Sequence, residues 1–148
     1  MLRNIILSFM LSVVFIANAS AELIKKNIEY KEGDTILEGY VVYDDAVKGQ
    51  RPGVVVIHDW MGFGEYGNMR AEMLAQLGYV ALAADIYGKG VRPKNAEEAG
   101  QLAGKFKGDR ALLRSRVNAA LETLKSQENV DTHRTAAIGY CFGGTTVL

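Results

Sequence analysis

The stretch "AAIGYCFGG", Ala136 to Gly144, holds the only cysteine of the chain, Cys141, with Gly139 two residues before it and Gly143 two after. This is the spacing of the G-x-S-x-G turn, with sulfur in place of the hydroxyl oxygen. The reason for the spacing is steric. A reactive residue on a sharp strand-to-helix bend has a strained backbone, and side chains two positions away on either side would collide with the adjoining strand and helix. Glycine removes both collisions. A helix beginning at the sulfur adds unpaired amides and the positive end of its dipole, both of which favour a thiolate. The chemistry implied is nucleophilic attack on an acyl carbon. The alternative is a buried structural cysteine, since free cysteine is among the most buried residue types.

Acyl transfer also needs hydrogen-bond donors for the developing oxyanion. One is expected to be the backbone N–H of Phe142, directly after the nucleophile. The other should come from the loop after the apolar run "VVVIHD", Val54 to Asp59. That loop reads "DWMGFG", and the Trp60 N–H is the candidate. Two histidines are available. His58 ends a strand beside the proposed donor, so a structural or loop-orienting role suits it better than general base. His133, in "VDTHRT", lies before the last strand, at the wrong end of a parallel sheet for catalysis, and is read as a solvated loop residue. Asp85 follows a strand and reads as a loop cap. Lys89 is an exposed loop lysine in reach of an anionic substrate at most. The chain therefore offers a nucleophile and an oxyanion loop without a general base.

These residues need a scaffold. "ELIKKNIEY" and "TILEGYVVYD" read as two strands joined by a turn at Glu32, Gly33 and Asp34. "VVVIHD" and "YVALAAD" are continuous apolar runs, the mark of strands buried on both faces. A helix is expected from about Asn68 to Leu77, with Met69, Met73, Leu74 and Leu77 on one side as its core face. Ala96, Ala99, Ala103 and Phe106 mark a second helix; Leu113, Val117, Ala120, Leu121 and Leu124 mark a third. "TAAIGY" is the last strand. Strands alternating with helices give an α/β domain. Its mostly parallel sheet is covered on both faces, and an antiparallel hairpin stands at its start.

Bulk properties exclude several functions. The formal net charge is +0, so nothing favours nucleic acid or an anionic membrane. No metal-binding or cofactor-binding pattern is present, and none of these groups is expected. Residues 1–21 have the layout of a secretory signal peptide: Arg3, the apolar core Ile5 to Ala17, then "ANA" and "ASA". The apolar run is shorter than the roughly 20 residues that span a bilayer. Cleavage is expected after Ala19 or Ala21, giving a periplasmic or secreted protein without stable membrane association. In such a compartment a lone cysteine can form no internal disulfide.

"GVVVIHDWMGFGEYGNMRAEMLAQLGYVALAADIYGKG" followed by "IGYCFGG" resembles the dienelactone hydrolases, an α/β-hydrolase family with a cysteine nucleophile. The similarity covers most of Glu22 to Leu148. The resemblance implies a Cys-His-Asp triad with Cys141 as nucleophile, and Trp60 and Phe142 as oxyanion donors. It implies an acid beside the thiol in the first loop, where Asp59 falls and the best-known family pattern has the longer glutamate. It also implies small-molecule esters or lactones as substrates. The triad acid and histidine belong after Cys141, where only Phe142 to Leu148 remain. Residues 22–148 are thus expected to be the N-terminal portion of an incomplete α/β-hydrolase domain, inactive alone. Two other classes stand beside this reading: a non-catalytic degenerate fragment, and a periplasmic thiol redox protein. The lack of a resolving cysteine speaks against the latter.

Overall fold

A computed structural model describes residues 22–148; the expected leader, residues 1–21, lies outside them. The elements are β1 (Leu23–Glu32), β2 (Thr35–Asp44), β3 (Arg51–Ile57), α1 (Glu65–Gln76), β4 (Val80–Ala84), α2 (Ala96–Gly108), α3 (Arg110–Lys125), β5 (Val130–Gly139) and α4 (Phe142–Thr146). They build one sheet in the order β1-β2-β4-β3-β5. β1 pairs with β2, and β2 with β4, antiparallel; β3 lies between β4 and β5 and is parallel to both. The hairpin turns at Gly33, whose φ of 55° suits glycine.

Alternate residues of the central strands feed two cores. Leu37, Val41, Val55, Ile57, Leu82 and Ala84 pack with Phe106, Leu113, Ala120 and Leu124 of α2 and α3. Tyr40, Val42, Val56, Ala81 and Ala83 pack with Ala71 and Ala75 of α1. Because both faces are covered, residues 54–57 of β3 and all of β4 are apolar at every position rather than at alternate ones. Helices α2 and α3 start on side-chain caps. Asn95 accepts the Glu98 amide and Asp109 accepts the Leu112 amide, each satisfying a donor the helix leaves unpaired.

α1 faces the sheet differently from expectation. Its buried residues are Gly67, Ala71 and Ala75, whereas Met69 and Met73 are each 46% exposed and Leu77 is 74% exposed. A face of small side chains lets the helix lie close on the sheet; a Cβ added at Gly67 would already touch the Ala83 Cβ at 3.8 Å. Leu74 keeps a partly buried place against this core, as expected, while Met69, Met73 and Leu77 are left pointing to solvent.

β5 also differs. It begins at Val130, so His133 lies within the strand rather than in a preceding loop, and it is exposed there. The pairing with β3 jumps from Pro52↔Asp131 to Gly53↔Thr135. Pro52 has no amide to give the ladder, and the residues around His133 bulge past it. β5 is an edge of the sheet, as β1 is. The two edges are unlike. β1 exposes Lys25, Lys26, Glu29 and Lys31, while β5 exposes Ala136, Ala137 and Ile138 beyond its bulge. Charges on an edge discourage further pairing; the apolar half of β5 has none. Among the described residues no helix is long and apolar enough to cross a membrane.

Candidate active site

Cys141 follows Tyr140 in the two-residue bend between β5 and α4. Its backbone sits at φ 54°, ψ −109°, and it is the only non-glycine residue with positive φ among the described residues. Such a conformation costs about 1–3 kcal/mol and persists where surrounding structure enforces it. The enforcement is visible. The Tyr140 amide donates to the Ile57 carbonyl at 3.3 Å, and the Gly143 and Gly144 amides donate to Tyr140 and Cys141 at 2.9 and 3.0 Å. The bend is so tight that a Cβ at Gly139 would meet the Gly143 carbonyl oxygen at 2.0 Å. One at Gly143 would lie 2.5 Å from the Ile57 oxygen and 2.6 Å from that of His58. Both glycines are therefore sterically required, against backbone that cannot move aside. The thiol is exposed, which removes the alternative of a buried structural cysteine.

Tyr140, just before the thiol, is anchored to α1. The Arg70 Nε donates to its hydroxyl at 2.7 Å, and the Arg70 guanidinium lies 5.0 Å from its ring centroid. Tyr66 meets the same ring edge-on at 5.2 Å. After the thiol, Phe142 turns inward and is 1% exposed.

The loop after β3 brings His58, Asp59 and Trp60 to the same end of the sheet. The strand stops at Ile57, so all three lie just beyond it. His58 is buried, and its Nε2 accepts the Ile86 amide at 3.1 Å. That amide can only donate, so the ring proton is on Nδ1, which donates to the Asp59 carbonyl at 2.5 Å. Burial holds the His58 pKa below its ordinary value, against the opposing pull of Asp59 and Asp85. With both nitrogens engaged, His58 ties two loops together and has no position free for base catalysis, as its place in the sequence suggested.

Asp59 shapes its own loop. Its Oδ1 accepts the Met61 amide at 2.8 Å, and its carbonyl accepts the Gly62 amide at 3.3 Å. The resulting turn leaves the Trp60 amide without an acceptor among the described residues, and the Phe142 amide has none either. The two N–H groups named from the sequence are thus unspent.

Tyr87 binds these pieces together, and its part was not foreseen. Its hydroxyl donates to the Trp60 carbonyl at 3.0 Å. Its ring packs against His58 at 4.8 Å and against Phe142 at 5.3 Å between centroids. Burial, and then the nearby Asp59 carboxylate and Cys141 sulfur, push the phenol pKa well above its usual value. Tyr87 is therefore a neutral donor in contact with both candidate oxyanion segments. Asp85 is the loop cap expected of it: its carboxylate accepts the Tyr87 amide at 2.9 Å and the Gly88 amide at 3.1 Å. Lys89 is exposed and paired with Glu29, and His133 stands apart at the other half of β5. Among the described residues no cluster of histidine, cysteine, aspartate and glutamate could hold a metal ion.

Comparison with known proteins gives a consistent picture. The model of the dienelactone hydrolase family matches residues 37–148. The solved structure of m3DLH is 42% identical with a TM-score of 0.82, over 84% of this chain and 52% of the other. That of a dienelactone hydrolase-like promiscuous phosphotriesterase from metagenomic libraries is 38% identical with a TM-score of 0.81, over 86% and 53%. A Bradyrhizobium protein named "Probable 2-oxo-3-(5-oxofuran-2-ylidene)propanoate lactonase" is 36% identical across 69% of this chain and 41% of its own length. The chain spans about half the length of the curated relatives it matches.

Proposed function

The chain belongs to the dienelactone hydrolase family, and from that premise we propose that its protein hydrolyses small esters or lactones with Cys141 as the nucleophile. The observation that carries this reading is the Cys141 bend, an exposed thiol in a strained backbone between two glycines that cannot be replaced. The thiolate adds to the carbonyl carbon, and the carbonyl electrons move to oxygen. The Trp60 and Phe142 amides stabilise that oxyanion. Its collapse breaks the C–O bond; the leaving alkoxide takes a proton, leaving a thioester on Cys141. Water then attacks the thioester, releasing the carboxylic acid and restoring the thiol. Preorganised donors of this kind are each worth about 10²–10³ in turnover.

Among the described residues no histidine is placed to carry the proton. His58 is committed to the Ile86 amide and His133 is remote. We propose that the triad acid and histidine come from outside residues 22–148, and expect those residues alone to be inactive. Asp59, with one oxygen on the Met61 amide, keeps the other for a thiol or water at the same mouth. We propose that residues 1–21 act as a leader that directs the protein to the periplasm or the medium. N-terminal sequencing of the exported product is expected to begin at Ser20 or Glu22; a retained Met1 would refute export with cleavage.

The test is hydrolysis of a chromogenic short-chain ester and of an unsaturated lactone. The assays use the chain alone and the chain joined to whatever sequence is encoded in frame after Leu148. Turnover is expected only in the extended protein, and Cys141→Ala should abolish it. Turnover that survives Cys141→Ala would remove the thiol from the mechanism.

A further inference from the structure

Arg51 opens β3 at the end of the sheet opposite Cys141. At about 3.3 Å per residue, the strand puts roughly 20 Å between Arg51 and the loop that carries Trp60. The Arg51 side chain is buried, at 5% exposure, yet its bonding is incomplete. Nη1 donates to the Asp44 carbonyl at 2.6 Å, while Nε, shielded from solvent, has no acceptor. Among the described residues no carboxylate lies within 4.0 Å of it. The neighbouring Asp44 carboxylate accepts the Ala46 amide through one oxygen at 2.8 Å and forms no ion pair with Arg51. A guanidinium is always charged and carries five donors in a fixed fork. Burying one without a counter-charge is costly unless something else supplies the acceptors.

Arg51 forms part of the wall of a cavity of about 520 Å³. Tyr43 stands in the same wall, with the Arg51 guanidinium 5.2 Å and the Lys26 ammonium 5.5 Å from its ring centroid. Lys48 lines the cavity too, reaching the Asp45 carbonyl at 2.7 Å and its carboxylate at 3.8 Å. The acids of the wall are Asp45 and Glu128, both exposed. Three cations face two acids, one of the cations buried and unpaired.

We propose that this cavity binds a small organic molecule through its carboxylate, held by Arg51 and closed over by Lys26 and Lys48. The fork of a guanidinium fits a carboxylate or a phosphate. The single excess positive charge of the wall favours a monoanion over a dianion, because a second negative charge would face Asp45 and Glu128. The site is separate from the Cys141 bend, so its occupant does not compete for the thiol.

The test uses the ¹⁵N-labelled chain and reads the Arg51 Nε–Hε resonance by nuclear magnetic resonance at constant ionic strength. Benzoate is the probe in one arm and inorganic phosphate in the other. Benzoate is expected to shift that resonance to saturation without slowing alkylation of Cys141 by iodoacetamide. Lys26→Ala and Lys48→Ala, both at exposed positions, should each weaken binding by roughly threefold, and Arg51→Gln should abolish it. If Arg51→Gln fails to fold, the lysine variants still decide the matter. An unsaturated response, unchanged affinity in both lysine variants, tighter binding of phosphate, or protection of Cys141 by benzoate would each overturn the proposal.

Discussion

The Nε2 of His58 accepts the Ile86 amide at 3.1 Å, so a buried neutral imidazole joins the loop after β3 to the loop after β4. This bond exists only while His58 is uncharged. Burial lowers its folded-state pKa below the 6.5 of the free side chain. Below pH 6.5 the unfolded chain therefore binds a proton that the folded chain refuses. Stability is fully present above that value and falls as the pH drops, by up to about 1.4 kcal/mol per unit, until the folded-state pKa is reached. Thermal melts between pH 7.5 and 5 should show the fall, and His58→Gln should flatten it. An equal slope in the variant would assign the effect elsewhere.

The two glycines around Cys141 should be the least tolerant positions of the site. Gly139→Ala and Gly143→Ala each press a methyl group into backbone at 2.0–2.6 Å, and overpacking a rigid neighbour costs typically 1–3 kcal/mol or more. Each is expected to abolish soluble expression or to cost at least about 3 kcal/mol in urea denaturation. Gly144→Ala, whose added carbon would stand 3.5 Å from the Gly139 oxygen, should express and melt like the parent.

Cys141→Gly is expected to stabilise the chain. The residue holds φ 54°, ψ −109°, a conformation open to glycine and strained for cysteine, so relief of about 1 kcal/mol should appear as a higher urea midpoint. Cys141→Ala keeps the Cβ and should show no such gain. A lower midpoint for the glycine variant would mean that the bend carries no strain.

Tyr87→Phe removes the bond to the Trp60 carbonyl at 3.0 Å while keeping the ring. A loss of about 1 kcal/mol is expected. Trp60 is the only tryptophan of the chain, so its fluorescence anisotropy reports directly on the loop and should fall in the variant. Anisotropy equal to that of the parent would deny Tyr87 a part in holding the oxyanion segment. Where ester turnover is measurable, the proposed oxyanion role of the loop predicts a loss in kcat more than in KM.

The strand pattern and the Cys141 bend were legible because each rests on local constraints. Residues 54–57 of β3 and all of β4 are apolar at both parities, and the glycine spacing is a property of five consecutive residues. Asp85 was legible for the same reason, since its carboxylate closes on amides two and three residues onward. The contacts of Tyr87 with Trp60 and of Arg70 with Tyr140 span 27 and 70 residues, and nothing local announces them. The face of α1 was misjudged because large apolar side chains outweigh small ones in a periodicity. Here closeness to the sheet decided the matter, and Gly67, Ala71 and Ala75 face inward. The bulge at His133 is visible only in the register against Pro52 and Gly53 of another strand, so it is a fact of pairing rather than of sequence pattern.

The contrast between the two outer strands gives the sheet a direction of growth. On the charged side, any chain docking on Lys25, Lys26, Glu29 and Lys31 must desolvate them. On the other, Ala136 to Ile138 offer an uncharged rail of amides and carbonyls. A further strand approaching that rail therefore meets far less cost of desolvation than one approaching β1.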